Sequence, residues 1–252
     1  MPNSSKDASQ KKQISDRPEH LNRLLKALPE ADYARLVPHF RNVTLSLGQI
    51  LYEPSEPVKT AYFPNKSMIS LVQVMENGGT VEAGIVGNNG VASYSIYLGG
   101  RQDSSRAIVQ IAGSAIALDA SILKAEFDRG ESLQKLLLRY TQALLAQVSQ
   151  TAACNRFHPT EERLARWLLQ SQDFARSATL ELTQDFLANM LGTRRASVTV
   201  AAGTLQKAGL IEYSRGLINI LNRKELELVA CECYGVVREE YDRLLGIPVS
   251  HP

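Results

Sequence analysis

The spacing of apolar residues along this chain changes character several times. In residues 21–41, LNRLLKALPEADYARLVPHFR, Leu21, Leu24, Leu25 and Leu28, then Tyr33, Leu36 and Phe40, recur at helical intervals. A different texture follows. VTLSL, QILYE, TAYFP, MISLVQV, TVEAGIV, RAIVQIA and SAIALD are short β-prone runs, most of them separated by glycine, and Asn77-Gly78-Gly79 is a hairpin signal. About seven strands at this spacing predict a small sandwich or jelly-roll.

A long helix is predicted over Ser132–Phe157. Leu133, Leu137, Tyr140, Leu144, Val148 and Thr151 form one stripe at coiled-coil spacing, and no charged residue occurs from Tyr140 to Asn155. A helix without charge all round is covered on more than one side. One side can lie against the β-rich part. The same helix of a second chain is the simplest cover for the other, so the stripe is the expected dimer interface.

The remainder reads as helical with one late hairpin: LIEY, a turn at Ser214-Arg215-Gly216, then LINIL. Within it lies LTQDFLANMLGTRRASVTVAAGTLQKAGLIEY, residues 182–213. Thr183 can cap a first helix, Asp185 suits its positive end, and Leu182 can staple onto Leu187. Gly192 ends that helix, and a second starts near Thr193 or Arg194. Small Ala188, Gly192 and β-branched Val198 are spaced as two crossing helices require, with Leu187, Leu191, Ala201 and Leu205 completing the buried face. SVTV, strand-like on its own, is thereby expected to be helical. The pattern is a helix-turn-helix, and the hairpin makes it winged.

The outward face of the second helix then carries Arg194, Arg195, Ala196, Ser197, Thr199, Val200 and Gly203. Arg195 can pair bidentately with guanine, and Val200 can meet a thymine methyl. Arg194, Ser197, Thr199 and, in the hairpin turn, Arg215 suit phosphates. No Asp or Glu lies between Asp185 and Glu212, which keeps carboxylates away from phosphate oxygens.

Composition changes this picture little. The chain has 252 residues, 44% apolar and 21% charged, with a net charge of +2. From residue 158 on there are 11 Lys+Arg and 12 Asp+Glu, so nucleic-acid binding rests on local placement of charge. Three cysteines make no disulfide framework and fit a reducing, cytoplasmic setting. Cys231 and Cys233, two apart on a helix, are expected to diverge and to be buried thiols, so no metal site is expected. No apolar run is long enough for a membrane span. Residues 1–18 are polar and predicted to be disordered.

Taken in order, these elements resemble the Crp/Fnr family of bacterial transcription regulators over residues about 20 to 246. LGQILYEPSEPVKTAYFP resembles the opening of that family's cyclic-nucleotide-binding-type roll, NRFHPTEERLARWLL its hinge, and LTQDFLANMLGTRRASVT its reading head. The resemblance implies an α+β protein with an N-terminal β-roll or jelly-roll (residues 19–131), a long dimerisation helix (132–157) and a C-terminal winged helix-turn-helix domain (158–252). It further implies a homodimer on palindromic double-stranded DNA, contact with RNA polymerase, and an effector held between roll and long helix. Arg195 matches the family's base-reading arginine. Ala196 and Val200 fall where cyclic-AMP-responsive members carry a glutamate and an arginine.

The implied effector site departs from the cyclic-nucleotide pattern. No acid lies between Glu82 and Asp103, so GNNGVASYSIYLGG has no glutamate for a ribose hydroxyl, and the phosphate run reads Ser104-Ser105-Arg106-Ala107. Asn88, Asn89, Ser104, Ser105, Arg106 and Ser149 remain as a candidate effector pocket, with cyclic AMP not expected. An iron–sulfur cluster needs about four cysteines, and none precedes Cys154. Haem needs an axial ligand, and no histidine lies between His39 and His158. The same gap argues against a metal-dependent jelly-roll enzyme, so no catalytic residue or cofactor is expected. The alternative function is a ligand-binding module acting through a protein partner.

Overall fold

The computed structural model describes residues 22–175 and 177–246. The tail at 1–18 and Leu21 lie outside them. Two short helices, α1 (Arg23–Lys26) and α2 (Glu30–Leu36), meet at Pro29, and one 3-10 turn, Val37–His39, leads into the roll. Its strands are β1 (Arg41–Leu45), β2 (Ile50–Tyr52), β3 (Thr60–Pro64), β4 (Met68–Val74), β5 (Thr80–Val86), β6 (Arg106–Ile111) and β7 (Gly113–Asp119), with α3 (Ser95–Leu98) between β5 and β6. They form two antiparallel sheets, ordered β1-β7-β3 and β2-β6-β4-β5. Gly78, at φ +81°, turns the β4–β5 hairpin.

After α4 (Ala120–Asp128) comes the long helix α5 (Ser132–Phe157). The C-terminal part is α6 (Thr160–Ala175), β8 (Thr179–Glu181), α7 (Gln184–Met190), α8 (Arg195–Lys207), β9 (Ile211–Ser214), β10 (Leu217–Ile220), α9 (Arg223–Val229) and α10 (Cys233–Leu245). The wing is a three-stranded sheet ordered β8-β10-β9, not the lone hairpin that the sequence predicts. Thr179–Glu181 is too short to register as a strand by pattern and forms by pairing with Leu217–Asn219.

The four-stranded sheet is buried on both faces. From β4, Ile69 and Leu71 point into the roll, while Met68 and Val72 join Trp167, Leu164 and Leu168 in a second core shared with the C-terminal part. That double burial explains why MISLVQV is near-continuously apolar.

The long helix corrects the expected dimer stripe. Leu133, Leu137, Tyr140, Leu144 and Thr151 are buried within the chain, and Val148 packs against the same core. Tyr140 donates its hydroxyl to the Val91 carbonyl at 3.0 Å, and Gln147 Oε1 accepts the Ile85 N–H at 2.8 Å. The apolar stripe faces the roll, where its side chains join the roll's own core. Further cover comes from α10, whose Val237, Tyr241, Leu244 and Leu245 complete the roll core.

Candidate nucleic-acid interface

The helix-turn-helix is built locally. Thr183 caps α7, its Oγ1 accepting the Phe186 N–H at 3.2 Å. At the turn Gly192 has φ +56°, open to glycine at little steric cost. A Cβ there would stand 2.8 Å from Val81 Cγ2 of the β4–β5 hairpin, so the position also sets how closely the motif approaches the roll. Arg194 is the extended N-cap of α8, and Arg195 is its first helical residue. Val198 is fully buried, with Ala188, Leu187, Leu191, Ala201 and Leu205 around it.

On the opposite face Arg194, Arg195, Ala196, Thr199 and Val200 are exposed and Ser197 is half-buried. Arg195 Nε lies 3.6 Å from Asp185 Oδ1, both groups largely in solvent, so the contact leaves the arginine free to reach outward. Thr199 Oγ1 donates to Gln184 Oε1 at 2.8 Å, which braces α8 against α7. The wing turn is two residues, Arg215 (φ +52°) and Gly216 (φ +82°), the left-handed pair of a tight hairpin. Arg195, Arg215, Tyr213, Gln184 and Asp185 line one open groove between wing and second helix. Gln184 and Tyr213, absent from the sequence-based set, enter it because wing and α7 converge only in three dimensions.

Residues 162–229 match the family model of the Crp-like helix-turn-helix domain. These residues form a Crp-like helix-turn-helix domain. Solved structures with the same overall fold include FixK2 from Bradyrhizobium japonicum, with TM-score 0.63 at 16% identity, covering 76% of this chain and 98% of that one. TTHB099, a CRP-family transcriptional regulator from Thermus thermophilus, has TM-score 0.59 at 16% identity over 84% of this chain and 100% of its own. The c-di-GMP-responsive regulator CLP of Xanthomonas campestris has TM-score 0.57 at 14% identity over 76% and 99%. No curated protein matches the sequence. The match at residues 162–229 shows the domain, and the likeness to these solved structures shows the overall fold.

The six candidate effector residues do not converge. Asn88 and Asn89 line a narrow cleft with Gln147, Phe174, Tyr234 and Tyr241, between roll, α5, α6 and α10. Arg106 is engaged elsewhere, its Nε donating to Glu53 Oε2 at 2.8 Å. Ser105 is buried, Ser104 is exposed, and Ser149 lies on the outer face of α5.

Two further features escaped sequence reasoning. Buried Glu82 on β5 accepts Trp167 Nε1–H at 3.0 Å and the Ser70 hydroxyl, tying α6 to the roll; burial pushes its carboxyl up to about 7. The cysteines also depart from expectation. Cys231 precedes α10 and Cys233 begins it, so their side chains do not diverge around one helix but converge on Cys154. Among the described residues no helix is long and apolar enough to cross a membrane.

Proposed function

We propose that this chain is a Crp/Fnr-type transcription regulator that acts as a homodimer on a palindromic DNA site, each subunit setting α8 in the major groove and the Arg215 turn on flanking backbone. The exposed Arg194–Val200 face beside the wing carries the reading. Arg195 is the base-reading residue because it sits in the first turn of α8 with its side chain in solvent, while neighbouring Ala196 and Val200 have no hydrogen-bonding side chain. The dimer seam is the outer stripe of α5: Leu138, Gln142, Leu145, Ser149 and Ala152, exposed and spaced alternately by four and three residues. RNA polymerase is the expected protein partner. A small effector in the Asn88–Asn89 cleft would act by changing how α6 and α10 rest on the roll.

Site selection from random DNA tests the assignment. Arg195→Ala should cost about 1–3 kcal/mol per half-site and relax preference at one symmetric base pair. Arg194→Ala should weaken all sequences about equally and reduce the salt dependence. If Arg195→Ala keeps the wild-type preference and loses only salt dependence, Arg195 holds a phosphate and another residue reads the bases.

A further inference from the structure

All three cysteines of the chain and one of its four histidines meet at a single point. Cys154 lies in the last turn of α5, and His158 is that helix's C-cap. Cys231 and Cys233 come from the turn that opens α10, closed by the Tyr234 N–H on the Cys231 carbonyl at 3.1 Å. One ligand atom from each of the four lies within 4.8 Å of all the others. Cys154 Sγ is 3.5 Å from Cys231 Sγ, and Cys233 Sγ is 3.5 Å from His158 Nδ1. In a tetrahedral zinc site, bonds of about 2.3 Å to sulfur and about 2.0 Å to nitrogen set neighbouring ligand atoms roughly 3.4–3.8 Å apart.

The surroundings are those of a metal site. His158 Nε2 lies 3.1 Å from Glu232 Oε2, so the carboxylate can hold the N–H there and leave Nδ1 as a lone-pair donor toward the sulfurs. Gln150 Nε2 donates to Cys233 Sγ at 3.1 Å. Cys233 is the first helical residue of α10, at the helix's positive end. Arg163 and Arg166 are both buried, they hydrogen-bond to the neutral Asn155, Thr160, Leu191 and Gln170, and among the described residues the Nε of each has no hydrogen-bond partner. Three thiolates around a divalent ion leave one net negative charge beside these guanidiniums. The cysteines are buried and His158 is mostly covered, so four protein ligands close the sphere, as in structural rather than catalytic zinc sites.

We propose that Cys154, His158, Cys231 and Cys233 bind one zinc ion, which staples the start of α10 to the hinge between α5 and α6. The close spacing favours a mononuclear ion, since an iron–sulfur cluster spreads its ligands over several metal atoms. The staple joins segments 73 residues apart, His158 to Cys231, and so ties the C-terminal helix beneath the roll to the hinge of the DNA-binding domain. Metal analysis of full-length protein, purified reduced and without chelator, should find about one zinc per chain. Cobalt(II) added to the stripped protein should give the intense visible bands of tetrahedral thiolate coordination. Cys231→Ser should lose the stoichiometric metal, while His158→Cys, which restores a fourth ligand, should keep it. Removing zinc should speed hydrogen exchange in residues 231–245. Wild-type protein without stoichiometric zinc and without tetrahedral cobalt bands would overturn the proposal. So would iron with inorganic sulfide, or a Cys154–Cys231 disulfide in the native protein.

Discussion

At the scale of single residues, two positions sit in environments that make them informative. Glu82 is fully buried between Trp167, Ser70 and the nearby charge of Arg166. Burial raises its carboxyl from an ordinary 4.5 to about 7, outweighing those partners. The folded chain therefore holds this proton more tightly than the unfolded one. Its contribution to stability is full below about pH 4.5 and is lost as pH rises through about 7, an effect on the order of 3 kcal/mol. Glu82→Gln should flatten the pH dependence of the urea midpoint between pH 5 and 8 relative to wild type; an unchanged slope would show that the group does not titrate in this range. Arg215 holds a left-handed φ of +52° at the wing tip, where glycine would be unstrained. Arg215→Gly should gain about 1 kcal/mol in thermal or urea unfolding and weaken DNA binding at all sequences, with a shallower salt slope. Loss of both stability and affinity would instead mean that the guanidinium supports the wing. The turn at Arg215 was legible in the sequence. Glu82's partner was not, because Trp167 lies 85 residues away.

At the scale of elements, the helices announced themselves and their faces did not. The stretch Ser132–Phe157 forms one helix, and Thr183, Gly192 and Val198 cap, turn and plug the helix-turn-helix, all from local chemistry. Yet α5 has two stripes of nearly the same spacing. The more apolar one, through Leu137 and Leu144, is taken by the roll, which leaves the one through Leu138 and Leu145 in solvent at 48% and 62% exposure. Replacing Leu138 and Leu145 with Glu should set like charges across the proposed dimer seam. Sedimentation should then show folded monomers with weak DNA binding. A double variant that stays dimeric, or a wild type monomeric at micromolar concentration, would remove α5 from the interface. Leu137→Glu should unfold the roll instead, since that side chain is fully buried.

At the scale of the whole molecule, the C-terminal part is seated on the roll rather than tethered to it. The ring of Phe174 on α6 lies so close to Gly87 that a Cβ at Gly87 would stand 2.0 Å from Phe174 Cδ1. Gly87→Ala should thus push α6 off the roll at a cost of about 1–3 kcal/mol. In a double-mutant cycle with Phe174→Ala, the two losses should be less than additive, because the second change removes the atoms that clash. Strict additivity would mean that the interface gives way elsewhere. The Gly87–Phe174 contact thus ties the seating of α6 to the turn that follows β5.

The sequence by itself determined the order of the elements, the seven roll strands, the helix-turn-helix and the exposed arginine face. Each of these rests on residues within one turn, one hairpin or one helical repeat of each other. Tertiary structure alone decided which stripe of α5 is covered, that α10 returns to fill the roll, that Thr179–Glu181 finds a partner strand, and that Glu82 meets Trp167. It also decided the fate of the cysteines. A Cys-x-Cys pair counted along a helix diverges, but the chain breaks at Ala230–Glu232 and aims both sulfurs at Cys154 and His158. Such encounters depend on packing between segments tens of residues apart, where many pairings satisfy the same local pattern and only the closure of a common core selects one.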